Sequence, residues 1–168
     1  RPLVRKPHVA GAFHGENGLG GVELPLPEQA PLTTPAWDAL YEAAKAMPGE
    51  LRLVATGPLT NVAIALTKYP DLKTLLHSIA LMGGAAVGGN ITPAAEFNIY
   101  DDPDAAPIVF KSGVPLVMCG LDVTMQAELR PADWDEMAAY PNRCGPLVKE
   151  LFACAWKTIQ TVGLKGVA

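Results

Sequence analysis

The sequence predicts an α/β fold, a mostly parallel sheet with helices on both faces. Three observations carry this. Short apolar runs at 51–55, 79–82 and 115–119 alternate with stretches whose apolar residues recur at helical spacing. Each run is apolar nearly throughout, as strands covered on both sides are. Each run also leads into a glycine turn: Thr56-Gly57-Pro58, Gly83-Gly84 and Gly120-Leu121-Asp122.

The elements follow in order. His8 to Pro27 is rich in Gly and Pro and reads as a loop, holding His14-Gly15-Glu16-Asn17-Gly18-Leu19-Gly20-Gly21. A helix follows, with Thr34 as N-cap and Pro35 in its first turn. Its stripe of Trp37, Leu40, Tyr41, Ala44 and Met47 predicts core, and Pro48-Gly49 ends it. After the first strand a helix starts at Leu59, with Val62, Ala63 and Leu66 on one face, and Pro70 stops it. A helical turn near 72–76 precedes the second strand, and a polar loop runs from Ala85 to Ala95. A helix around 104–111 leads to the third strand. Helices at 131–140 and 146–162 close the chain, the latter with Leu147, Leu151, Cys154, Ala155 and Ile159 at helical spacing. No repeat, low-complexity tract or linker divides the 168 residues, which predicts a single domain.

Composition narrows the function. The net charge is −4 and no basic run is present, which argues against nucleic acid as partner. No apolar stretch approaches the ~18–20 residues needed to cross a bilayer, so no membrane role is expected. Cys119, Cys144 and Cys154 form no CxxC pair and read as reduced, mostly buried thiols, which suits a cytoplasmic protein. The chain opens on Arg1-Pro2-Leu3 and closes on Gly163-Leu164-Lys165-Gly166-Val167-Ala168, and both ends are expected to be interior to a longer polypeptide.

In parallel α/β sheets the ligand sits beyond the carboxyl ends of the strands. The richest polar segment lies just there: Gly88-Gly89-Asn90-Ile91-Thr92-Pro93-Ala94-Ala95-Glu96-Phe97-Asn98. Two amides and a carboxylate suit sugar hydroxyls, since each unmatched hydroxyl in a buried pocket costs about 1–3 kcal/mol. Phe97 offers an apolar wall. The plainer alternative has Asn90 capping a turn and Glu96 on the surface. Asp101, Asp102 and Asp104 are explained by the helix N-terminus after Pro103 better than by a metal. His77 reads as structural or solvated, and His8 has no assigned role.

Together these motifs resemble the inosine-uridine preferring nucleoside hydrolase family. The resemblance rests on the run from Leu53 through Thr56-Gly57-Pro58-Leu59-Thr60-Asn61 to Ala63, then Leu81-Met82-Gly83-Gly84, then Asn90 through Asn98. It extends to Asp101-Asp102-Pro103-Asp104-Ala105-Ala106, the His14–Gly20 loop and Gly120-Leu121-Asp122-Val123-Thr124. It covers essentially the whole chain.

The resemblance implies a Rossmann-type core and hydrolysis of the N-glycosidic bond of ribonucleosides by water activated on Ca²⁺. The Thr56 backbone carbonyl would be one calcium ligand, a reasonable donor to a hard cation, while the Thr56 hydroxyl could cap the next helix. Asn90, Glu96 and Asn98 would hold the ribose hydroxyls, with Met82 lining the sugar site, Phe97 beside it and His14 near the base. Asp122 carries no primary catalytic role in the family. A homodimer or homotetramer is expected at full length.

The family's D-x-D-x-x-x-D-D motif, source of most calcium ligands and the general base, is not in this sequence, nor is its His-Asp pair with the leaving-group acid. No catalytic residue is therefore expected within residues 1–168, which alone should neither bind Ca²⁺ tightly nor turn over nucleoside. A non-catalytic sugar- or nucleoside-binding module is the alternative. A phosphate-binding nucleotide fold is disfavoured, because neither GxGxxG nor GxxxxGKS/T occurs.

Overall fold

The computed structural model describes residues 1–8, 14, 15, 17–142 and 144–162. It divides into two compact units, one of Arg1–Pro7 with Ala30–Val123, the other of His8–Gln29 with Thr124–Ala168.

The first unit holds the sheet. Its elements run α1 (Ala36–Ala46), β1 (Leu51–Ala55), α2 (Thr60–Lys68), α3 (Leu72–Leu75), β2 (Leu76–Met82), α4 (Phe97–Asp101), α5 (Ala105–Phe110), β3 (Leu116–Cys119) and α6 (Leu121–Thr124). The strands lie in the order β1-β2-β3 and both pairings are parallel. Leu53 pairs with Ile79 and Ile79 with Leu116, so large aliphatics line up across one face. Against that face pack Ala44 of α1, Val62, Ala63 and Ala65 of α2, and Ala105 and Val109 of α5, in one cluster with Ile79 and Leu81. Small residues on the helices let their backbones approach the sheet, and the aliphatics opposite fill the layer. Burying a Leu or Ile fully contributes about 1.5–3 kcal/mol, and Ile79 is completely enclosed.

The parallel α/β class is as expected, but the two faces are covered unequally. Val54 and Val117, which align through Ala80 on the opposite face, are 68% and 62% exposed. Strand β2 also begins earlier than its apolar run, at Leu76, because pairing with Leu51 carries the exposed His77 and half-buried Ser78 into the ladder. Backbone pairing does not require apolar side chains on an open face.

Several local expectations are corrected. Pro35, not Thr34, is the N-cap of α1, and it makes no side-chain cap bond. Met47 falls outside the core stripe at 42% exposure, since the helix stops at Ala46. Thr56 does not cap α2: that helix starts at Thr60 with Leu59 at the N-cap and no side-chain bond there. The Thr60 hydroxyl instead donates to Asp102. The cysteines are free but not mostly buried, Cys144 being exposed and the other two half-buried.

The second unit is built on α7 (Pro131–Ala139) and α8 (Gly145–Val162). Asp133 Oδ2 accepts from the Arg130 N–H at 2.6 Å, and Asn142 Oδ1 accepts from the N–H groups of Cys144 and Gly145. Such side-chain acceptors satisfy helix-start donors that otherwise lack partners. Trp134, 4% exposed, stacks on Phe152 and meets Trp156 edge-on. Among the described residues, no helix is long and apolar enough to cross a membrane.

Candidate functional site

The candidate site lies where β2 ends. Past Met82 the chain turns through Gly83 and Gly84, loops out, and returns at Glu96 to start α4. Sequence periodicity passes over this five-residue helix, because its start signal is a glutamate rather than a Ser, Thr, Asp or Asn.

Glu96 is the N-cap and only 2% exposed. Its Oε1 accepts from Asn98 N at 2.9 Å, and its Oε2 accepts from Gly84 N at 2.8 Å and Ile99 N at 3.2 Å. The carboxylate thus ties the strand exit to the helix start. The alternative of a surface glutamate is wrong, and most of the group's acceptor capacity is already engaged by backbone.

Asn90 does cap, as the plainer alternative had it: its Oδ1 accepts from Phe97 N at 2.8 Å. Asn98 Nδ2 donates to the Met82 carbonyl at 3.0 Å and approaches Met82 Sδ at 3.2 Å. Because both partners are backbone groups of fixed polarity, each amide's orientation is determined. Asn90 is left with its Nδ2, a donor, and Asn98 with its Oδ1, an acceptor; neither atom has a partner among the described residues. Around the first turn of α4 the structure therefore brings together Asn90, Glu96, Phe97, Asn98 and Met82. Phe97, Asn98 and Met82 are half-buried and Asn90 is exposed.

The intervening loop is folded on itself. Ala95 O accepts from Asn90 N and Ile91 N at 3.0 and 3.2 Å, and Thr92 Oγ1 accepts from Ala95 N at 2.9 Å. A Cβ on Gly89 would lie 2.3 Å from Thr92 O and 2.4 Å from Ala95 N and Ala95 O. Thr92 and Gly89 shape the loop that presents Asn90. Neither stands out in sequence, since the first is an ordinary threonine and the second one glycine among 16.

Thr56 is exposed and directly follows Ala55, which pairs with Leu81, so the register sets it beside Met82 at the same end of the sheet. His14 belongs to the second unit and is helical, not in a loop as expected; its carbonyl accepts from the Gly20 N–H at 2.8 Å. Asn17 organises the loop that follows, its Oδ1 accepting from Leu19 N and Gly21 N. Asp102 is a buried tie: its carboxylate accepts from Leu3 N, Ala105 N and the Thr60 hydroxyl. His77 is exposed and bonded to Arg52. Among the described residues, no group of three or more His, Cys, Asp or Glu could hold a metal. The shifted titrations lie on α1 and α2, where a hydrogen bond from Lys68 holds the Asp38 carboxyl below its usual pKa.

Comparison with known proteins points one way. The family model described as inosine-uridine preferring nucleoside hydrolase matches residues 1–166. Pyrimidine-specific ribonucleoside hydrolase RihA of Shewanella sp. strain MR-4 is 47% identical over 151 residues, 90% of this chain and 48% of the relative. Non-specific ribonucleoside hydrolase RihC of Escherichia coli is 46% identical over 154 residues, 90% of this chain and 50% of the relative. Among solved structures, the purine-preferring ribonucleoside hydrolase from Gardnerella vaginalis superimposes with TM-score 0.88 at 36% identity, over 94% of this chain and 51% of that one. A plant nucleoside hydrolase gives 0.88 at 33% identity, over 94% and 50% of the two chains. The chain spans about half the length of the curated relatives it matches.

Proposed function

The chain belongs to the inosine-uridine preferring nucleoside hydrolase family, and from that premise we propose that its intact protein hydrolyses the N-glycosidic bond of ribonucleosides to ribose and free base. The observation that supports this most is the opposed polarity of Asn90 and Asn98. One offers a donor and the other an acceptor beside Met82, at the carboxyl end of a parallel strand. A ribose hydroxyl both donates and accepts, so two adjacent hydroxyls suit this pair, while a group with acceptors alone does not. Glu96 aims Asn98 through the N-cap and retains acceptor capacity for a hydroxyl. Phe97 and Met82 supply apolar walls, and His14 serves near the base.

A Ca²⁺ ion is part of the proposal, with the Thr56 carbonyl as one ligand. The described residues do not by themselves fit such an ion, which takes about 6–8 oxygens; its carboxylate ligands, the general base and the acid would come from outside them. The partner is a ribonucleoside, and the protein is placed in the cytoplasm as a homodimer or homotetramer. The named relatives are variously pyrimidine-specific, non-specific and purine-preferring, so the test uses both kinds of base.

The test is release of free base from inosine and uridine by the intact polypeptide, with and without a calcium chelator. Release that the chelator stops and added Ca²⁺ restores is the expected result. Tight nucleoside binding with no release would favour the non-catalytic module instead. Asn90→Asp keeps the acceptor for Phe97 N but turns the ligand-facing donor into an acceptor. It is expected to lower kcat/KM roughly tenfold to a hundredfold with the thermal midpoint unchanged. An unchanged kcat/KM would remove Asn90 from the site.

A further inference from the structure

Three hydrogen bonds lace the exits of β2 and β3 beyond the last paired residues. Gly83 N donates to Cys119 O at 3.2 Å, Leu121 N donates to Gly84 O at 3.0 Å, and Ala86 N donates to Asp122 Oδ1 at 3.2 Å. The first two continue the parallel ladder. The third replaces a backbone acceptor with a carboxylate, and it falls where the loop carrying Asn90 departs. Space for it is specific: a Cβ on Gly120 would lie 2.7 Å from Asp122 Oδ1 and 3.1 Å from Gly84 O. Glu96 holds Gly84 N within the same stretch, at 2.8 Å. The loop is thus fastened at its start by two carboxylates from different elements, and at its end by Asn90 on Phe97 N.

We propose that Asp122 is a positioning residue for the sugar pocket, acting through the Ala86 N–H to set where the loop with Asn90 leaves the sheet. This rests on the nucleoside reading of that pocket. The bond from the Ala86 N–H needs only an acceptor oxygen, which the amide of Asp122→Asn also supplies. The experiment compares Asp122→Ala and Asp122→Asn in the intact polypeptide, measuring KM and kcat for inosine and uridine and the hydrogen exchange of the Ala86 amide.

Asp122→Ala is expected to speed Ala86 exchange and raise KM, each roughly tenfold, with kcat changed less than about threefold. Asp122→Asn, which keeps an acceptor oxygen, is expected to restore both readouts to near the parent values. Ala86 exchange that does not respond to Asp122→Ala overturns the proposal. So does an Asp122→Asn variant as impaired as Asp122→Ala, which would mean that the charge itself acts. If the parent protein releases no base, the hydrolase reading fails, while the exchange measurement still decides whether Asp122 pins the loop.

Discussion

Gly89→Ala is expected to lower kcat/KM of the proposed hydrolase by about a hundredfold, because misplacing the proposed sugar contacts by about 1 Å costs that much. The added methyl group would meet three backbone atoms at 2.3–2.4 Å, and none can swing aside as a side chain can. The loop must open, and Asn90 moves with it. Overpacking of this kind costs about 1–3 kcal/mol where the surroundings can yield, and Gly89 is only half-buried. The thermal midpoint should therefore drop by about 2–12 °C, at about 2–4 °C per kcal/mol. Gly88→Ala is the control. Gly88 has φ +73° but nothing within 4 Å of a built Cβ, so that variant bears only the left-handed strain of roughly 1–2 kcal/mol. Equal kcat/KM for the two variants would show that the fold-back of the loop has no bearing on binding.

Asp102→Ala is expected to destabilise the protein by about 2–3 kcal/mol, the cost of leaving one buried hydroxyl and one part-buried N–H without an acceptor. Asp102 is 1% exposed, and its carboxylate gathers the Thr60 hydroxyl of α2, the Leu3 N–H of the opening segment and the Ala105 N–H of α5. Removing it orphans the Thr60 hydroxyl and the Leu3 N–H, while the Ala105 N–H keeps the Asp102 backbone carbonyl at 3.2 Å. The urea midpoint should fall by more than about 1 M. Asp102→Asn keeps one acceptor oxygen and should fall between parent and alanine variant. A loss under about 1 kcal/mol for Asp102→Ala would show that water or other partners replace the carboxylate.

Much of the fold was legible because its signals are periodic or punctuated. The strands at 51–55 and 116–119 follow from apolar runs between turns, and α2 and α8 from helical spacing and Pro or Gly at their borders. What escaped has no such signal. The start of β2 at Leu76 is hidden by His77 and Ser78, which are polar yet paired. The helix α4 is too short for a periodic pattern and is capped by glutamate. Met47 matches the apolar stripe of α1 but lies beyond the last helical turn, so it does not reach the core.

Asn90, Glu96, Phe97, Asn98 and Met82 could be picked out from residue type, from their place after a strand and from the family resemblance. How each works could not. That Asn90 offers a donor and Asn98 an acceptor depends on which backbone groups occupy their other ends, and those partners lie 7 and 16 residues away.

The sequence by itself determined the parallel α/β class and the family. Apolar runs, turns and motif order are local in the chain and survive as patterns without any contact being known. Only the tertiary structure decided that Glu96 is enclosed by three backbone donors, that Asp102 ties three segments together, and that Gly89 and Gly120 leave room for main chain or a carboxylate. Those assignments depend on which groups meet when distant residues are brought within about 3 Å, the range in which a hydrogen bond forms or a methyl group no longer fits.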